Sequence, residues 1–232
     1  MLNTFDPSSL NNSYSLRNEQ QALIAALRKQ PLLIVLRPSK EDLDQLLPKN
    51  RPIIQTIEKL NDLGVKHIEI AWASHPAWAE LIEELRQNFT NISLGAASIT
   101  NIEGLEEVAR LGLTYAMSPY LDPPLLLHAR KLKQLLIPGV FSPTEIHEAH
   151  QSGCELVKVF PASNIGINYI KQLQIPYPSL PFIIAAGGLR AADLKPWLEN
   201  GYDALTLGRK LIEDDQIDPD LQAWLRAGLS KS

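Results

Sequence analysis

Short apolar runs alternate along this chain with longer segments in which apolar and polar residues are mixed. Each run spans three to five residues and predicts a buried β-strand. The mixed segments carry apolar residues at helical spacing and predict amphipathic helices. The predicted strands cover residues 32–36, 68–71, 92–96, 115–117, 135–137, 156–160, 182–185 and 204–207, and the predicted helices cover residues 17–29, 76–87, 102–110, 123–131, 143–151, 191–199 and 221–227.

Alternation of strand and helix indicates a parallel α/β sheet, and eight such units in a chain of this length predict a closed (β/α)8 TIM barrel. An open, doubly wound sheet is the alternative, because periodicity does not show closure. We predict an N-terminal extension with one helix over residues 1–30 and a single barrel domain over residues 31–232. Residues 1–16 are polar and are expected to be poorly ordered.

Composition limits the classes of partner. The 232 residues are 45% hydrophobic and carry a net charge of −4, with acidic and basic residues interspersed. No basic field favours nucleic acid, and no apolar run is long enough to span a bilayer. The N-terminus lacks the apolar core of a signal peptide, and the single cysteine, Cys154, excludes an internal disulfide and gives no metal cluster. These features predict a cytoplasmic protein with no nucleic-acid or membrane partner.

The predicted strand at residues 156–160 places one lysine, Lys158, among valine and phenylalanine side chains. Lysine is rarely fully buried unless it is paired or functional. Because loss of hydration disfavours the ammonium form, we expect the pKa of Lys158 to fall below its usual value of about 10.4. A neutral amine at neutral pH is what Schiff-base chemistry needs. The alternative is a structural lysine whose amine reaches water from the strand end.

Side-chain alternation along the strands directs three charged residues towards the barrel axis. If Ile68 and Ile70 face the helices, Glu69 faces inward, and the same reasoning turns Lys158 and Arg37 inward. All three lie near strand ends, where the sites of barrel enzymes form. A structural ion network is the alternative, but buried ion pairs are weak stabilisers. The pattern therefore favours a functional site.

Glycines follow the last two predicted strands. Gly187 and Gly188 follow the seventh strand, and Gly208, Arg209 and Lys210 follow the eighth. In (β/α)8 enzymes these two loops often bind phosphate, because small residues let backbone N–H groups approach the anion. Each motif alone is also typical of an ordinary turn. Their joint position predicts an anion site.

Seven short motifs occur in one order over nearly the whole predicted barrel. They are Ile34-Val35-Leu36-Arg37, Ile68-Glu69-Ile70, Gly95-Ala96-Ala97-Ser98, Ser118-Pro119, Ile137-Pro138-Gly139-Val140, Lys158-Val159-Phe160-Pro161-Ala162 and Gly187-Gly188. In these motifs the chain resembles the KDPG/KHG aldolases. These are class I lyases that cleave 2-keto-3-deoxy-6-phosphogluconate (KDPG) or 4-hydroxy-2-oxoglutarate (KHG) to pyruvate and an aldehyde.

The resemblance implies a role for each matching residue. Lys158 would form the Schiff base with a 2-oxo acid, and Glu69 would be the general acid and base. The substrate-binding residues would be Arg37 and Ser98 at the pyruvyl carboxylate, Pro119 and Phe160 at the walls, and Gly187, Gly188 and Gly208 around a distal phosphate. Arg209 does not match the relatives, and it could either bind the same anion or be a solvated residue at a helix start. The resemblance also implies a homotrimer, a small-molecule substrate, no cofactor and no metal, since the iminium withdraws the electrons.

Several positions depart from the pattern of these relatives. Ala71 and Ala73 stand where relatives often carry threonine or arginine, and Ala186 stands where a threonine precedes the glycine pair. Ser163 replaces an acidic residue, and Arg209 replaces a serine. These changes remove hydroxyl donors but keep the lysine, glutamate and arginine. Two alternatives therefore stay open: a phosphate-binding barrel enzyme that forms no imine, and a non-catalytic barrel that binds a 2-oxo acid or a phosphorylated metabolite.

Five further residues receive structural interpretations. Trp72 and Trp78 are expected to pack in the core, and His67 lies early on its strand, which favours a core role. His75 lies in a loop from which it could reach a substrate. Cys154 precedes its strand, away from the predicted mouth of the barrel, and is expected to be inert.

Overall fold

The computed structural model describes residues 7–44, 51–177, 179–209, 211–213 and 216–229. The helices are α1 (Pro7–Lys29), α2 (Pro52–Asp62), α3 (Pro76–Asn88), α4 (Ile102–Arg110), α5 (Pro123–Leu132), α6 (Pro143–Gln151), α7 (Ala162–Ile165), α8 (Tyr169–Leu173), α9 (Leu194–Glu199) and α10 (Pro219–Leu229). The strands are β1 (Leu32–Leu36), β2 (His67–Ala71), β3 (Ser93–Ala97), β4 (Tyr115–Met117), β5 (Leu136–Ile137), β6 (Gly139–Val140), β7 (Leu156–Val159), β8 (Phe182–Ala186), β9 (Ala204–Leu207), β10 (Ile212–Glu213) and β11 (Gln216–Ile217).

Strands β1 to β9 form one parallel sheet in the order β5-β4-β3-β2-β1-β9-β8-β7-β6. Its two outer members, β5 and β6, are consecutive in the chain and are separated only by Pro138. Because β5 pairs with β4 and β6 pairs with β7, the two halves of the fifth barrel strand bring the sheet edges together. The predicted (β/α)8 barrel is confirmed, and the open sheet is excluded.

Local sequence signals explain where several helices begin. Each of α3, α5 and α6 starts with a proline, whose missing N–H is not needed in the first helical turn. The preceding residue caps the helix in each case: His75, Asp122 and Ser142 accept a hydrogen bond from a backbone N–H of the first turn. The cap of α5 ends the loop after β4, which carries Pro119.

Two apolar layers separate the inside of the barrel from its helical shell. Ile68, Ile70, Val157 and Val159 pack outward with the helices, as the alternation predicted. Inside lie residues that include Leu33, Tyr115, Met117, Ile137, Leu156, Phe182 and Ile184. Leu23, Ile24 and Leu27 of α1 join this inner cluster, beside the first residues of β7, β8 and β9. Helix α1 therefore covers the amino end of the barrel and leaves the carboxyl end of the strands as its open end.

The structure corrects several sequence expectations. Residues 1–16 were expected to be poorly ordered, but α1 starts at Pro7 and residues 7–16 are helical. Residues 1–6 lie outside the described residues. The fifth strand was expected at 135–137, but β5 covers Leu136–Ile137 and a second segment, β6, follows at Gly139–Val140. Pro138 separates the two segments because it lacks a backbone N–H. Helices α2, α7 and α8 and the antiparallel pair of β10 and β11 were not predicted. Lys210 lies outside the described residues, and the division into extension and barrel domain stays a prediction.

Among the described residues, no helix has both the length and the apolar character needed to cross a membrane.

Candidate active site

A cavity of about 440 Å³ opens at the carboxyl end of the barrel strands. Its lining includes the ten candidate catalytic and substrate-binding residues: Arg37, Glu69, Ser98, Pro119, Lys158, Phe160, Gly187, Gly188, Gly208 and Arg209. They come from β2 and β7 and from the loops after β1, β3, β4, β7, β8 and β9. Parallel strands that close into a barrel bring these distant segments to one opening.

Lys158 lies inside the barrel on β7 and is 6% exposed. Its Nζ atom lies 5.4 Å from the centre of the Phe160 ring. Burial lowers the pKa of Lys158 to about 8; the negative charge of Glu69 opposes this change, and the positive charge of Arg37 adds to it. With a pKa of about 8, roughly a tenth of the amine is uncharged at pH 7, which is far more than at the ordinary pKa of lysine and favours a nucleophilic role.

Glu69 lies inside the barrel on β2 and is 1% exposed. Burial raises its pKa to about 7, and the Lys158 ammonium opposes the rise. Its Oε1 atom has no hydrogen-bond partner in the described structure. A carboxyl group that exchanges its proton near pH 7 is suited to act as both acid and base.

Arg37 and Ser98 follow β1 and β3, the two strands that flank β2. The Arg37 guanidinium donates a hydrogen bond to the Ser98 hydroxyl, with an Nη1–Oγ distance of 3.4 Å. Ser98 has a φ of 64°, in the left-handed region that glycine favours. The pair places a cation and a hydroxyl beside Lys158, a combination that can hold a carboxylate.

The walls of the cavity include Pro119 and Phe160. The Phe160 ring is 38% exposed at the mouth. The Pro119 backbone packs against Gly139, where an added Cβ would overlap the Pro119 carbonyl group. Because Gly139 of β6 has no side chain, the loop that carries Pro119 can approach the barrel closely.

The glycine loops lie together at one side of the cavity. Gly187 and Gly188 have φ values of 95° and 80°, and a Cβ at Gly188 would lie 2.8 Å from the Ser163 Cβ atom. Gly208 and the exposed Arg209 follow β9 at the same opening. Because glycine has no side chain, its backbone N–H groups are accessible to an anion, and the positive charge of Arg209 lies beside them. The arrangement is suited to bind an anion.

Two buried hydroxyl groups near the site were missed by the sequence reasoning. Thr206 on β9 lines the cavity, is 5% exposed and has no hydrogen-bond partner for Oγ1 in the described structure. It pairs in register with Ala186, the position at which the family resemblance led us to expect a threonine. Tyr115 on β4 is fully buried, and its hydroxyl also lacks a partner. The alternation of β4 and β9 could have placed both side chains inside the barrel, but it carries no sign that their hydroxyl groups lack partners.

The five residues given structural interpretations do not line the cavity. The Trp78 indole N–H donates to the Ala71 carbonyl over 3.0 Å, and the Trp72 N–H donates to Glu107 over 2.8 Å. Burial lowers the pKa of His67 to about 4, so it is neutral at physiological pH. His75 caps α3, and burial raises the pKa of Cys154 to about 11.

The family model described as KDPG and KHG aldolase matches residues 24–226. This chain belongs to the KDPG and KHG aldolase family. It is 26% identical over 189 residues to 2-dehydro-3-deoxy-6-phosphogalactonate aldolase of Escherichia coli, covering 81% of this chain and 87% of that protein. The homologues are named aldolases, so this family member is a carbon–carbon lyase by family.

Two solved structures of aldolases share the fold. One, described as a native KDPGal structure, has a TM-score of 0.70 at 24% identity and covers 86% of this chain and 93% of that chain. The other is KDPG aldolase from Legionella pneumophila with pyruvate captured as a covalent carbinolamine, with a TM-score of 0.68 at 21% identity, covering 88% of this chain and 95% of that one. Among the described residues, no group of three His, Cys, Asp or Glu side chains could hold a metal ion.

Proposed function

We propose that this family member is a class I aldolase that cleaves KDPG or KHG to pyruvate and an aldehyde through an imine on Lys158. One observation carries the proposal. A buried lysine and a buried glutamate share one cavity, and burial brings the pKa of each towards neutrality, to about 8 and about 7. This is the arrangement that covalent catalysis with acid–base transfer requires.

The chemistry uses these two groups in sequence. The neutral Lys158 amine attacks the C2 carbonyl of the 2-oxo acid, and loss of water gives an iminium. The C3–C4 bond then breaks, and its electron pair moves through C3 to the iminium nitrogen while the C4 hydroxyl proton passes to Glu69, directly or through water. Glu69 returns a proton to C3 of the enamine, and hydrolysis of the imine releases pyruvate. The carbinolamine of the Legionella pneumophila enzyme is the corresponding intermediate in that protein.

The rest of the cavity supports binding of such a substrate. Arg37 and Ser98 would bind the pyruvyl carboxylate, because a guanidinium forms charge-assisted hydrogen bonds with carboxylates. Pro119 and Phe160 would enclose the carbon chain. The unpartnered hydroxyl of Thr206 would bind a substrate hydroxyl in place of the threonine that is missing at Ala186.

The distal end of the substrate would lie against the glycine loops. Gly187, Gly188, Gly208 and Arg209 would bind a phosphate, which KDPG carries at C6. The second carboxylate of KHG is a shorter and weaker fit to the same group of donors. The arrangement therefore favours a phosphorylated 2-keto-3-deoxy sugar acid, and the homotrimer implied by the resemblance is part of the same proposal.

Trapping with pyruvate and borohydride tests the imine. We expect reduction to fix a pyruvyl group irreversibly on Lys158, detected as a mass increase on the peptide that contains it. The Lys158→Met variant should gain no label, and Lys171→Met, which removes an exposed lysine of α8, should be labelled like the wild type. Absence of an adduct on the wild type would rule out the imine mechanism.

Turnover assays then separate the remaining alternatives. Pyruvate release should follow addition of KDPG, its C4 epimer 2-keto-3-deoxy-6-phosphogalactonate, or KHG, measured with a coupled dehydrogenase. Labelling without cleavage of any of the three would support the alternative of a binding protein for 2-oxo acids. Cleavage of KHG alone would contradict the proposed phosphate site.

A further inference from the structure

We propose that the Tyr115 hydroxyl donates a hydrogen bond to the Glu69 carboxylate from inside the barrel and positions it for proton transfer. This inference rests on the proposed function, because Tyr115 would bind Glu69, the residue that transfers the proton in the proposed reaction. Tyr115 is a positioning residue in this proposal, since it acts through Glu69 and does not line the cavity.

Strand register places the tyrosine and the glutamate in one row. Glu69 on β2 pairs with Gly95 on β3, and Gly95 pairs with Tyr115 on β4. A Cβ atom at Gly95 would lie 2.5 Å from Cζ of Tyr115, the carbon that carries the hydroxyl. The phenol ring therefore occupies the space in front of Gly95 and extends across β3 towards β2. Any larger residue at position 95 would block this path.

The two side chains complement each other as hydrogen-bonding groups. Tyr115 is 0% exposed and Glu69 is 1% exposed, so water does not replace a missing protein partner freely at either group. In the described structure the Tyr115 hydroxyl and the Glu69 Oε1 atom are both without a partner. A buried polar atom without a partner is unfavourable, and here strand register places an unused donor and an unused acceptor in the same row of the barrel interior.

Electrostatics keep the tyrosine in its donor form. Burial raises the pKa of Tyr115 well above its usual value, and the negative charge of Glu69 raises it further. The hydroxyl is therefore protonated throughout the range in which Glu69 titrates. The other ionisable groups in the barrel interior and cavity that face this region are Lys158 of β7, Arg37 after β1, Arg209 after β9 and the neutral His67 of β2.

The proposed bond has a definite effect on the acid–base group. A donor stabilises the ionised carboxylate more than the neutral acid, so it holds the pKa of Glu69 lower than burial alone would. Removal of the hydroxyl should raise that pKa. The acid side of the pH–rate profile should then move to higher pH, which a merely structural tyrosine would not cause.

The test uses hydrogen–deuterium exchange of the pyruvate methyl group, followed by NMR in D₂O at saturating pyruvate. With Lys158 held as the imine, removal of the C3 proton depends on ionised Glu69. We expect the Tyr115→Phe variant to shift the acid limb upward by about one pH unit, the size of one charge-assisted hydrogen bond. The matched control, Tyr202→Phe, removes a hydroxyl that donates to the Gly166 carbonyl, and its profile should equal that of the wild type.

The outcomes separate this inference from the proposed function. If wild type and Tyr115→Phe exchange with the same acid limb, the positioning role of Tyr115 is refuted while the imine mechanism stands. If the wild type shows no exchange, the proposed function fails. Infrared difference titration of the Glu69 carboxyl, with Glu69→Gln as the blank, then decides the inference without activity: an unchanged midpoint in Tyr115→Phe refutes it, and an upward shift supports it.

Discussion

Ser98 shows at the scale of one residue how the site uses an unfavourable backbone conformation. Its φ of 64° lies in a region that is unfavourable for side chains with a Cβ atom by about 1–2 kcal/mol. Glycine would avoid this strain, yet the chain carries a serine whose hydroxyl accepts a hydrogen bond from Arg37. The hydroxyl is therefore the feature that requires serine at this position.

Two substitutions separate the strain from the hydroxyl. We expect Ser98→Gly to be more stable than Ser98→Ala by about 1 kcal/mol in chemical denaturation, because only alanine keeps the strained Cβ atom. Both variants lose the contact with Arg37, so both should bind pyruvate about tenfold more weakly in the exchange assay. Equal stability of the two variants would refute the strain, and wild-type pyruvate affinity in both would remove Ser98 from the proposed carboxylate site.

Residues differ in how far the sequence could predict their position. Lys158 and Glu69 interrupt apolar strands, and alternation alone directs both inward, where the structure places them in one cavity. Thr206 and Tyr115 do not interrupt the apolar pattern, since threonine and tyrosine are common in buried strands. Their importance comes from hydroxyl groups without partners, which depends on neighbours from other strands.

The fifth barrel strand shows how an interruption in one element shapes the site. Pro138 divides it into β5 and β6, and the Pro138 carbonyl still accepts a hydrogen bond from the Lys158 N–H over 2.9 Å. Directly after the break, Gly139 lies against the Pro119 carbonyl so closely that a Cβ atom would overlap it. Glycine at position 139 therefore lets the Pro119 loop pack against the fifth strand while the same strand stays hydrogen-bonded to β7 through Pro138 and Lys158.

Alanine substitutions at two glycines test this contact. We expect Gly139→Ala to lower the free energy of unfolding by about 1–3 kcal/mol, because the obstructing atoms are backbone and cannot rotate away. Gly228→Ala in α10 is the matched control: nothing lies within 4 Å of its added Cβ. That variant should gain about 0.5–1 kcal/mol from helix propensity. Chemical denaturation measures both, and wild-type stability of Gly139→Ala would contradict the close approach.

The elements also differ in how well the sequence predicted them. Helix α2 was missed although its buried residues, Ile53, Ile57 and Leu60, recur at helical spacing, so its signal was present. The early start of α1 carried no such signal, because residues 1–16 are largely polar. Pro138 marks in the sequence where the fifth strand is interrupted, but no local pattern contains the pairing of its two halves with different strands, β4 and β7.

At the scale of the whole molecule, closure of the barrel brings Glu69 and Lys158 together across its interior. Periodicity could not predict closure, which requires the pairing of β5 with β4 and of β6 with β7. Bringing two ionisable groups out of water opposes folding, and their mutual attraction offsets this only in part. If the pair exists for catalysis and is not a structural ion network, its removal should stabilise the protein.

The pH dependence of that effect follows from the two pKa values. Glu69 has a raised pKa in the folded state, about 7 against 4.5, so its stabilising contribution is full below pH 4.5 and is lost as pH rises through 7. Lys158 has a lowered pKa, about 8 against 10.5, so the unfolded chain binds its proton more tightly. Folding is therefore opposed below pH 8, and this opposition disappears as pH rises to 10.5. The pair is least favourable between pH 7 and pH 8.

The double variant Glu69→Gln/Lys158→Met tests this balance, because it replaces both charges with neutral side chains of similar size. We expect it to be more stable than the wild type by about 1–4 kcal/mol at pH 7.5, measured by urea denaturation. The advantage should shrink towards pH 5, where folded Glu69 holds its proton, and towards pH 10, where folded Lys158 has lost its proton. A double variant less stable than the wild type at pH 7.5 would instead show that the Glu69–Lys158 pair stabilises the fold, as a structural ion network would.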